Sequence, residues 1–329
     1  MLISGAKSSK IYTGDKMEVI DLRTYEKTSI TSDMRLSCAL GNFDGVHLGH
    51  AELLLRAAKK QDGTTHSAVW TFRVHPDVCR MDENARILTS CEQKFSLFRS
   101  YGIDLAILED FGDVSSLSPE QFAKDVIYDK CRVRRAVCGF NFRFGKGAAG
   151  NAKTLSDLLS PLGVGVDVIP PKMLGDTVIS STAIRALIER GDVEGARAML
   201  GHPFSIFLPV TEGRKIGRTI GIPTINQVFP KFYAIPRHGV YACRVIVDGV
   251  SHIAISNVGV RPTVTGGNAT VNCETHIIGF NGWLYGKTVE VDFYKFIRPE
   301  TKFDDLLLLK AQIEKDIEKT KEYFSNQEA

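Results

Sequence analysis

Around Gly201-His202-Pro203 the chain changes the rhythm in which it spaces its apolar residues. Upstream, from about Met17, short apolar runs alternate with segments whose apolar residues recur at helical spacing. That texture implies a parallel sheet with helices on its faces. Downstream, alternation at period two takes over, broken by Gly and Pro turns, and implies a small closed barrel. Gly201 can end a helix in the left-handed conformation, and Pro203 cannot continue one. The reading is therefore an α/β domain over 17–201 and an all-β domain over 203–329. Residues 1–16 form an N-terminal appendage. A length of 329 residues suits two ordinary domains.

In the first half, Leu36–Leu40, Leu105–Leu108, Ala136–Cys138 and Val164–Ile169 read as strands. Ala51–Lys60 and Thr154–Leu159 read as helices between them. Thr89 and Glu92 suggest a capping box, and Ser118-Pro119 starts a further helix with Pro in its first turn. Ser181–Arg190 and Val193–Leu200 close this half as two helices. In the second half, Tyr241–Val247 and Ile253–Ile255 flank the Asp248-Gly249 hairpin signal. Thr275–Ile278 and Val289–Phe296 follow. A terminal helix carries Phe303, Leu306, Leu309, Ile313, Ile317 and Phe324 on one stripe.

Composition narrows the function. Forty-one basic residues against 38 acidic ones leave a net charge of +3, too even for a nucleic-acid coat or a membrane-binding patch. No apolar run approaches the ~20 residues that span a bilayer, and the N-terminus lacks the apolar core of a signal peptide. Seven scattered cysteines without a Cys-x-x-Cys pair argue against a zinc ribbon or a disulfide framework and for a reducing cytoplasm. The expected partners are small molecules, with no nucleic acid and no membrane.

Three strings in the first half suit phosphate chemistry. Gly41-Asn42-Phe43-Asp44-Gly45-Val46-His47-Leu48-Gly49-His50 follows a strand and enters a helix, where free N–H groups and the dipole favour an anion. His47 and His50, three apart, can face one ligand there, and Gly49 allows close backbone approach. Ser180-Ser181-Thr182-Ala183-Ile184-Arg185 opens a helix with three hydroxyls and a cation one turn on. Gly139–Gly147 joins glycines, aromatics, Asn141 and two cations at a strand end. Each has a plainer reading, as surface histidines, an N-cap or a Gly-rich turn.

Together with Thr71-Phe72-x-x-His75-Pro76, these strings make residues 17–200 resemble the FMN adenylyltransferase module of the bacterial bifunctional riboflavin kinase/FMN adenylyltransferases. The resemblance implies a nucleotidylyltransferase fold with His47 and His50 at the ATP phosphates. It implies Ser181, Thr182 and Arg185 on the pyrophosphate side, and Gly41, Asn42, Phe43, Gly49 and Asn141 around nucleotide or flavin. Asn141 stands where many relatives carry Asp, and Ala183 where Arg is frequent.

The second half offers Gly213-Arg214-Lys215-Ile216-Gly217-Arg218-Thr219-Ile220-Gly221-Ile222-Pro223-Thr224-Ile225-Asn226. Its glycines let backbone N–H groups wrap phosphates. Thr224 and Asn226 offer hard oxygens suited to Mg²⁺. The spacing is not that of a Walker loop, and a basic surface loop is the plainer reading. From about Phe204 to Phe324 this half resembles the family's riboflavin kinase domain. Matching segments are Gly217–Asn226, His238–Tyr241, Ser256–Thr263 with Asn257, Cys273–His276, Leu284–Lys287 and Arg298–Glu300. The resemblance implies a six-stranded barrel holding Mg²⁺ and ATP at Thr224 and Asn226, with Gly217, Arg218, Gly221, Pro223 and Asn257 in the binding loop and pocket. Glu274 becomes the general base for the riboflavin 5′-hydroxyl, and the products are FMN and then FAD. Leu208 stands about where relatives carry a loop glycine, so the loop's first turn and ATP affinity are expected to differ. A chain with one silent half, and a flavin-binding regulator, remain as rival readings.

Overall fold

The computed structural model describes residues 17–23, 30–31, 33–59, 64–213, 216–261 and 270–328. The appendage 1–16, Arg214, Lys215, Pro262 and Thr263 lie outside them. The chain forms two compact units. One extends to Asp82 and resumes over Cys91–Lys172; the other joins Glu83–Ser90 to everything from Met173 onward.

The first unit is built on six parallel strands: β1 (Glu18–Asp21), β2 (Arg35–Leu40), β3 (Thr65–Phe72), β4 (Leu105–Glu109), β5 (Val133–Gly139) and β6 (Gly165–Ile169). Their order is β1-β4-β3-β2-β5-β6, so the direction of winding reverses between β2 and β5. Alternate residues feed opposite faces. Leu36, Cys38 and Leu40 join Trp70 and Ile107 on one face, whereas Ala39 joins Val69, Ala106 and Val137 on the other. Helices α1 (Leu48–Ala58) and α2 (Cys91–Ser100) cover the second face with Leu53, Leu54, Ala57 and Phe98. The first is covered by α3 (Ala152–Leu159) and by the helix opened at Ser118-Pro119. Ser118 and Gln121 there form a reciprocal capping box. From Phe122 to Lys130 this helix is π-wound and ends with the Cys131 N–H on the Val126 carbonyl.

The second unit contains α4 (Ser181–Glu189), α5 (Val193–Leu200), and strands β7 (Phe204–Pro209), β8 (Ile225–Val228), β9 (Gly239–Val247), β10 (Val250–Arg261), β11 (Thr270–Ile277) and β12 (Thr288–Pro299), followed by α6 (Leu306–Glu328). The antiparallel order β7-β12-β9-β10-β11-β8 is nearly closed. Thr211, just past β7, bridges Asn226 on β8, and Gln227 Nε2 donates to the Leu208 and Val289 carbonyls at 2.7 and 2.8 Å. Asp248 and Gly249 both have positive φ, 49° and 81°, as a two-residue type I′ hairpin turn requires. Among the described residues, no helix is long and apolar enough to cross a membrane.

Three expectations change. Leu208 is no loop residue: it lies in β7 opposite Val289, 4% exposed, and needs no positive φ. The stripe on α6 is shifted, because Phe303 precedes the helix and Leu306 is 51% exposed. Phe324 is buried as expected, but beside Asp316 and Thr320. Asp316 tolerates burial because Arg298 Nε and Nη2 each reach its Oδ2 at 2.9 Å and Gln312 serves Oδ1. Finally, the compact units do not divide at Gly201. Helix α5 packs on the barrel, with the Arg197 guanidinium 5.0 Å over the Tyr294 ring and Glu194 3.7 Å from Lys295. Ile87 pairs beside Tyr233, bonding the Phe232 carbonyl and the Ala234 N–H.

Leu208→Gly should therefore cost about 3–5 kcal/mol of barrel stability in a urea titration, through a cavity and a weakened strand, and should not tighten ATP binding. Because Val193, Ala196, Met199 and Leu200 are buried, a 203–329 fragment should unfold at lower urea than a 173–329 fragment. The gap should be on the order of 3 kcal/mol; equal midpoints would show that α5 contributes nothing to the barrel.

Candidate functional site

The Gly41–His50 string leaves the carboxyl end of β2, and Gly139–Gly147 leaves that of neighbouring β5. They flank the switch point, where open α/β sheets leave a crevice for ligands. The Thr71-Phe72 motif ends β3, on the other side of β2. Thus three strings, far apart in sequence, meet along one sheet edge.

Helix α1 starts at Leu48, a turn earlier than the apolar pattern predicts, because His47 caps it: its Nδ1 accepts the His50 N–H at 3.2 Å. Accepting at Nδ1 leaves Nε2 to carry the proton when the ring is neutral. The two imidazoles stack at 3.7 Å and 14°. A Cβ on Gly49 would come within 3.1 Å of the His47 ring, so glycine there permits the stack. Phe43 is wholly buried, 5.5 Å from the Phe98 ring and 5.1 Å from His50; its ring supports His50. The connecting turn is strained, with positive φ at Phe43 (54°) and Val46 (39°) as well as Gly45.

His50 Nδ1 and Asn42 Oδ1 are buried without a hydrogen-bond partner. Burial first, then the neighbouring His47 and Lys94, hold the His50 pKa well below the ordinary histidine value. The folded value lies below the unfolded one, so this neutral ring contributes fully to stability above about pH 6.5, and the contribution is lost as pH falls from there through the folded value. Lys94, absent from the sequence reading, is 6% exposed and donates to the Asn42 and Phe72 carbonyls at 3.3 Å. Its place on the Cys91–Lys94–Phe95–Phe98 stripe of α2 was the available signal. Thr71 Oγ1 also bonds the Asn42 carbonyl, at 3.1 Å. Beyond β5, Asn141 is exposed, and its Oδ1 would lie 3.2 Å from a Cβ on Gly139.

Ser181, Thr182 and Arg185 belong to α4 in the second unit. Ser180 caps that helix through the Ala183 N–H at 3.2 Å, and Arg185 Nε donates to the Arg86 carbonyl.

In the barrel, strand register does the assembling. Asn226 on β8 faces Glu274 on β11, which faces Asn257 on β10. Directly paired residues share a face, so one row carries two amides and a carboxylate outside the barrel. Asn226 is 4% exposed, and its Oδ1 has no partner; Glu274 is exposed. Asn257 Nδ2 donates to Glu300 Oε1 at 3.0 Å. A Cβ on Gly213 would collide with the Asn226 amide, and one on Gly217 would lie 2.1 Å from the Ile222 carbonyl. Gly221 has φ of 82°. A cavity of about 450 Å³ adjoins this row, lined by Arg218, Pro223, Thr224, Phe280, Trp283 and Tyr285 among others. Arg218 Nη2 meets the Tyr285 hydroxyl at 3.4 Å. Phe280, Trp283 and His276, whose Nδ1 bonds the Pro223 carbonyl at 2.8 Å, escaped the sequence reading of the site.

The FAD synthetase family model matches residues 29–183 and the riboflavin kinase family model residues 200–324. A bifunctional riboflavin kinase/FMN adenylyltransferase of Bacillus subtilis is 37% identical over 88% of this chain and 92% of its own. Its counterpart in Listeria monocytogenes is 33% identical over 95% and 100%, and that of Escherichia coli K12 32% identical over 87% and 91%. A Streptococcus pneumoniae crystal structure, described as a macrolide-efflux protein, superposes with a TM-score of 0.80 at 29% identity, covering 92% of this chain and 98% of that one. With both domain families in order and curated relatives matched over nearly their full length, the chain belongs to the bifunctional riboflavin kinase/FMN adenylyltransferase family.

Proposed function

We propose that the chain performs its family's two reactions at the two clusters just described. It phosphorylates riboflavin with ATP to give FMN and ADP, then joins FMN to the adenylyl group of a second ATP to give FAD and pyrophosphate. The kinase half rests on the row Asn226–Glu274–Asn257. The adenylyl half rests on the stacked His47–His50 pair at a helix start beside the switch point.

In the first unit, an FMN phosphate oxygen attacks the α-phosphorus of ATP and pyrophosphate leaves. His47 Nε2–H and the N-terminus of α1 bind phosphate oxygens. Burial first, then the neighbouring His47 and Lys94, disfavour a proton on His50 in the free protein; phosphate charge beside it would draw one onto the ring. Asn42 Oδ1 is an acceptor for an N–H of nucleotide or flavin, and Asn141 another polar contact. Ser181, Thr182 and Arg185 take the pyrophosphate role that the family resemblance implies.

In the barrel, Glu274 accepts the proton of the riboflavin 5′-hydroxyl as that oxygen attacks the γ-phosphorus. The residues fit a magnesium ion: Asn226 Oδ1 is a hard oxygen, buried and unpartnered, with Thr224 two residues away. The ion would neutralise phosphate charge when bound. Gly217 and Gly221 shape the phosphate loop. The cavity walled by Phe280, Trp283, Tyr285 and Arg218 accepts the flat adenine ring, with Pro223 at its rim. Seven unpaired cysteines fit a cytoplasmic setting.

Incubation with ATP, Mg²⁺ and riboflavin, followed by chromatography, tests the whole reading. His50→Ala should lower FAD formation about 10²–10³-fold while FMN accumulates; an unchanged FAD yield would remove this histidine from the reaction. Glu274→Gln should slow FMN formation by about 10²–10⁴-fold yet leave FAD formation from supplied FMN intact. A wild-type rate in the Gln variant would mean that another group takes the proton.

A further inference from the structure

We propose that His276 is a positioning residue for the kinase reaction: its ring takes over a strand-pairing bond where β8 parts from β11, and so sets both the nucleotide cavity and the Thr224–Asn226 segment. The proposal rests on the reading that Thr224 and Asn226 hold the ATP phosphates with their metal ion.

The ladder between these strands runs from Val228↔Asn272 to Ile225↔Thr275 and stops there. Continued, it would set Thr224 opposite His276 and Pro223 opposite Ile277. Instead, the Pro223 carbonyl is met by the His276 side chain, with Nδ1 at 2.8 Å. A carbonyl only accepts, so Nδ1 carries the proton and donates. Pro223 has no N–H with which to extend the ladder. In the continued ladder the donor to that carbonyl would be the Ile277 N–H, whereas the Ile278 N–H belongs to the other side of β11, on the Ile253 carbonyl of β10. A side chain is longer than a backbone amide, and the histidine therefore satisfies the carbonyl while holding the strands apart.

The cavity opens at this parting. Pro223, Thr224 and Ile225 line it from the β8 side, and Ile277 and Phe280 from the β11 side. His276 also lies on the same barrel face as Glu274, two residues along. One hydrogen bond thus ties the strand carrying the proposed base to the segment carrying the proposed phosphate ligands. Displacement of a reacting group by about 1 Å can cost on the order of a hundredfold in rate.

The test uses the full-length protein, with FMN formation measured against Mg²⁺–ATP and against riboflavin separately. His276→Phe keeps the ring and loses the donor; it should raise the KM for Mg²⁺–ATP about ten- to a hundredfold and change the riboflavin KM less than threefold, roughly speaking. His276→Asn offers an amide N–H near the position of Nδ1 and should restore most of the loss. FAD formation from supplied FMN should be unaffected in both and reports that the first unit is folded; the riboflavin KM reports on the barrel. Should the Phe variant be insoluble, His276→Ala carries the same expectation without added bulk. A normal Mg²⁺–ATP KM in the Phe or Ala variant would overturn the proposal. So would equal impairment of the Asn and Phe variants, or a matching rise in riboflavin KM, because either indicates general loss of packing. Asn226→Ala separates the underlying reading: if it leaves the Mg²⁺–ATP dependence untouched, the metal and phosphate assignment fails, whatever His276 does.

Discussion

A buried ammonium group ties the carboxyl ends of two strands in the first unit. Lys94 donates to the carbonyls of Asn42, just past β2, and of Phe72, at the end of β3. Parallel strands end in carbonyls that the sheet no longer pairs, and burying them unsatisfied is costly. Lys94 resolves that cost between β2 and β3, next to the switch point, but brings a charge into a place where burial pulls its own pKa down. The same charge helps hold His50 neutral. A buried cation beside two imidazoles at a helix N-terminus forms a site whose electrostatics improve when an anion arrives. The strained turn through Phe43 and Val46 persists because the Phe43 ring is locked between Phe98 and His50.

The barrel solves the phosphate problem differently. It relies on strand register, and on glycines where a Cβ would collide. Gly217 is required by the Ile222 carbonyl and Gly213 by the Asn226 amide itself. An amide oxygen so enclosed is costly to leave unpaired. In the first unit the protein supplies a buried cation; in the second, it leaves a buried acceptor without a donor.

The sequence made some of this legible for physical reasons that can be named. The strands around Cys38, Ala106 and Val137 are apolar on both faces, so they read as runs. Asp248-Gly249 permits only one kind of turn. Other features depend on pairing that no local pattern contains. Lys94 occupies a core stripe, but a lysine on a helix ordinarily faces water. Asp316 looks like a solvated residue of α6 until Arg298, 18 positions away, is known to meet it at 2.9 Å. Leu208 matches a loop position only by analogy with relatives, and its burial opposite Val289 belongs to β7. The wide π-wound turn from Phe122 has apolar spacing close enough to an α-helix that sequence alone gives no cue to it. Asn272, 3% exposed with both amide atoms unpartnered, carries no sequence signal at all.

The division of the chain shows why texture and compactness are separate properties. Texture changes at Gly201, where α5 ends with φ of 83° and strands begin. The FAD synthetase family match ends at 183, inside α4. Compactness changes earlier, at Met173. Each border follows a different cause. Local hydrogen bonding ends a helix; descent delimits a family; burial of side chains delimits a body. Helices α4 and α5 are helical in pattern, as α/β segments are, yet α5 lays Arg197 over Tyr294 and Glu194 beside Lys295 on the barrel strand β12. Glu83–Ser90 goes further: eight residues taken from between β3 and α2 pair with the Phe232–Ala234 segment and receive Arg185 on the Arg86 carbonyl. A chain that leaves one body, returns to it and leaves again cannot be cut once without breaking an element's supports. The boundary that matters for stability is therefore set by which surfaces the barrel needs covered, and those surfaces are invisible to periodicity.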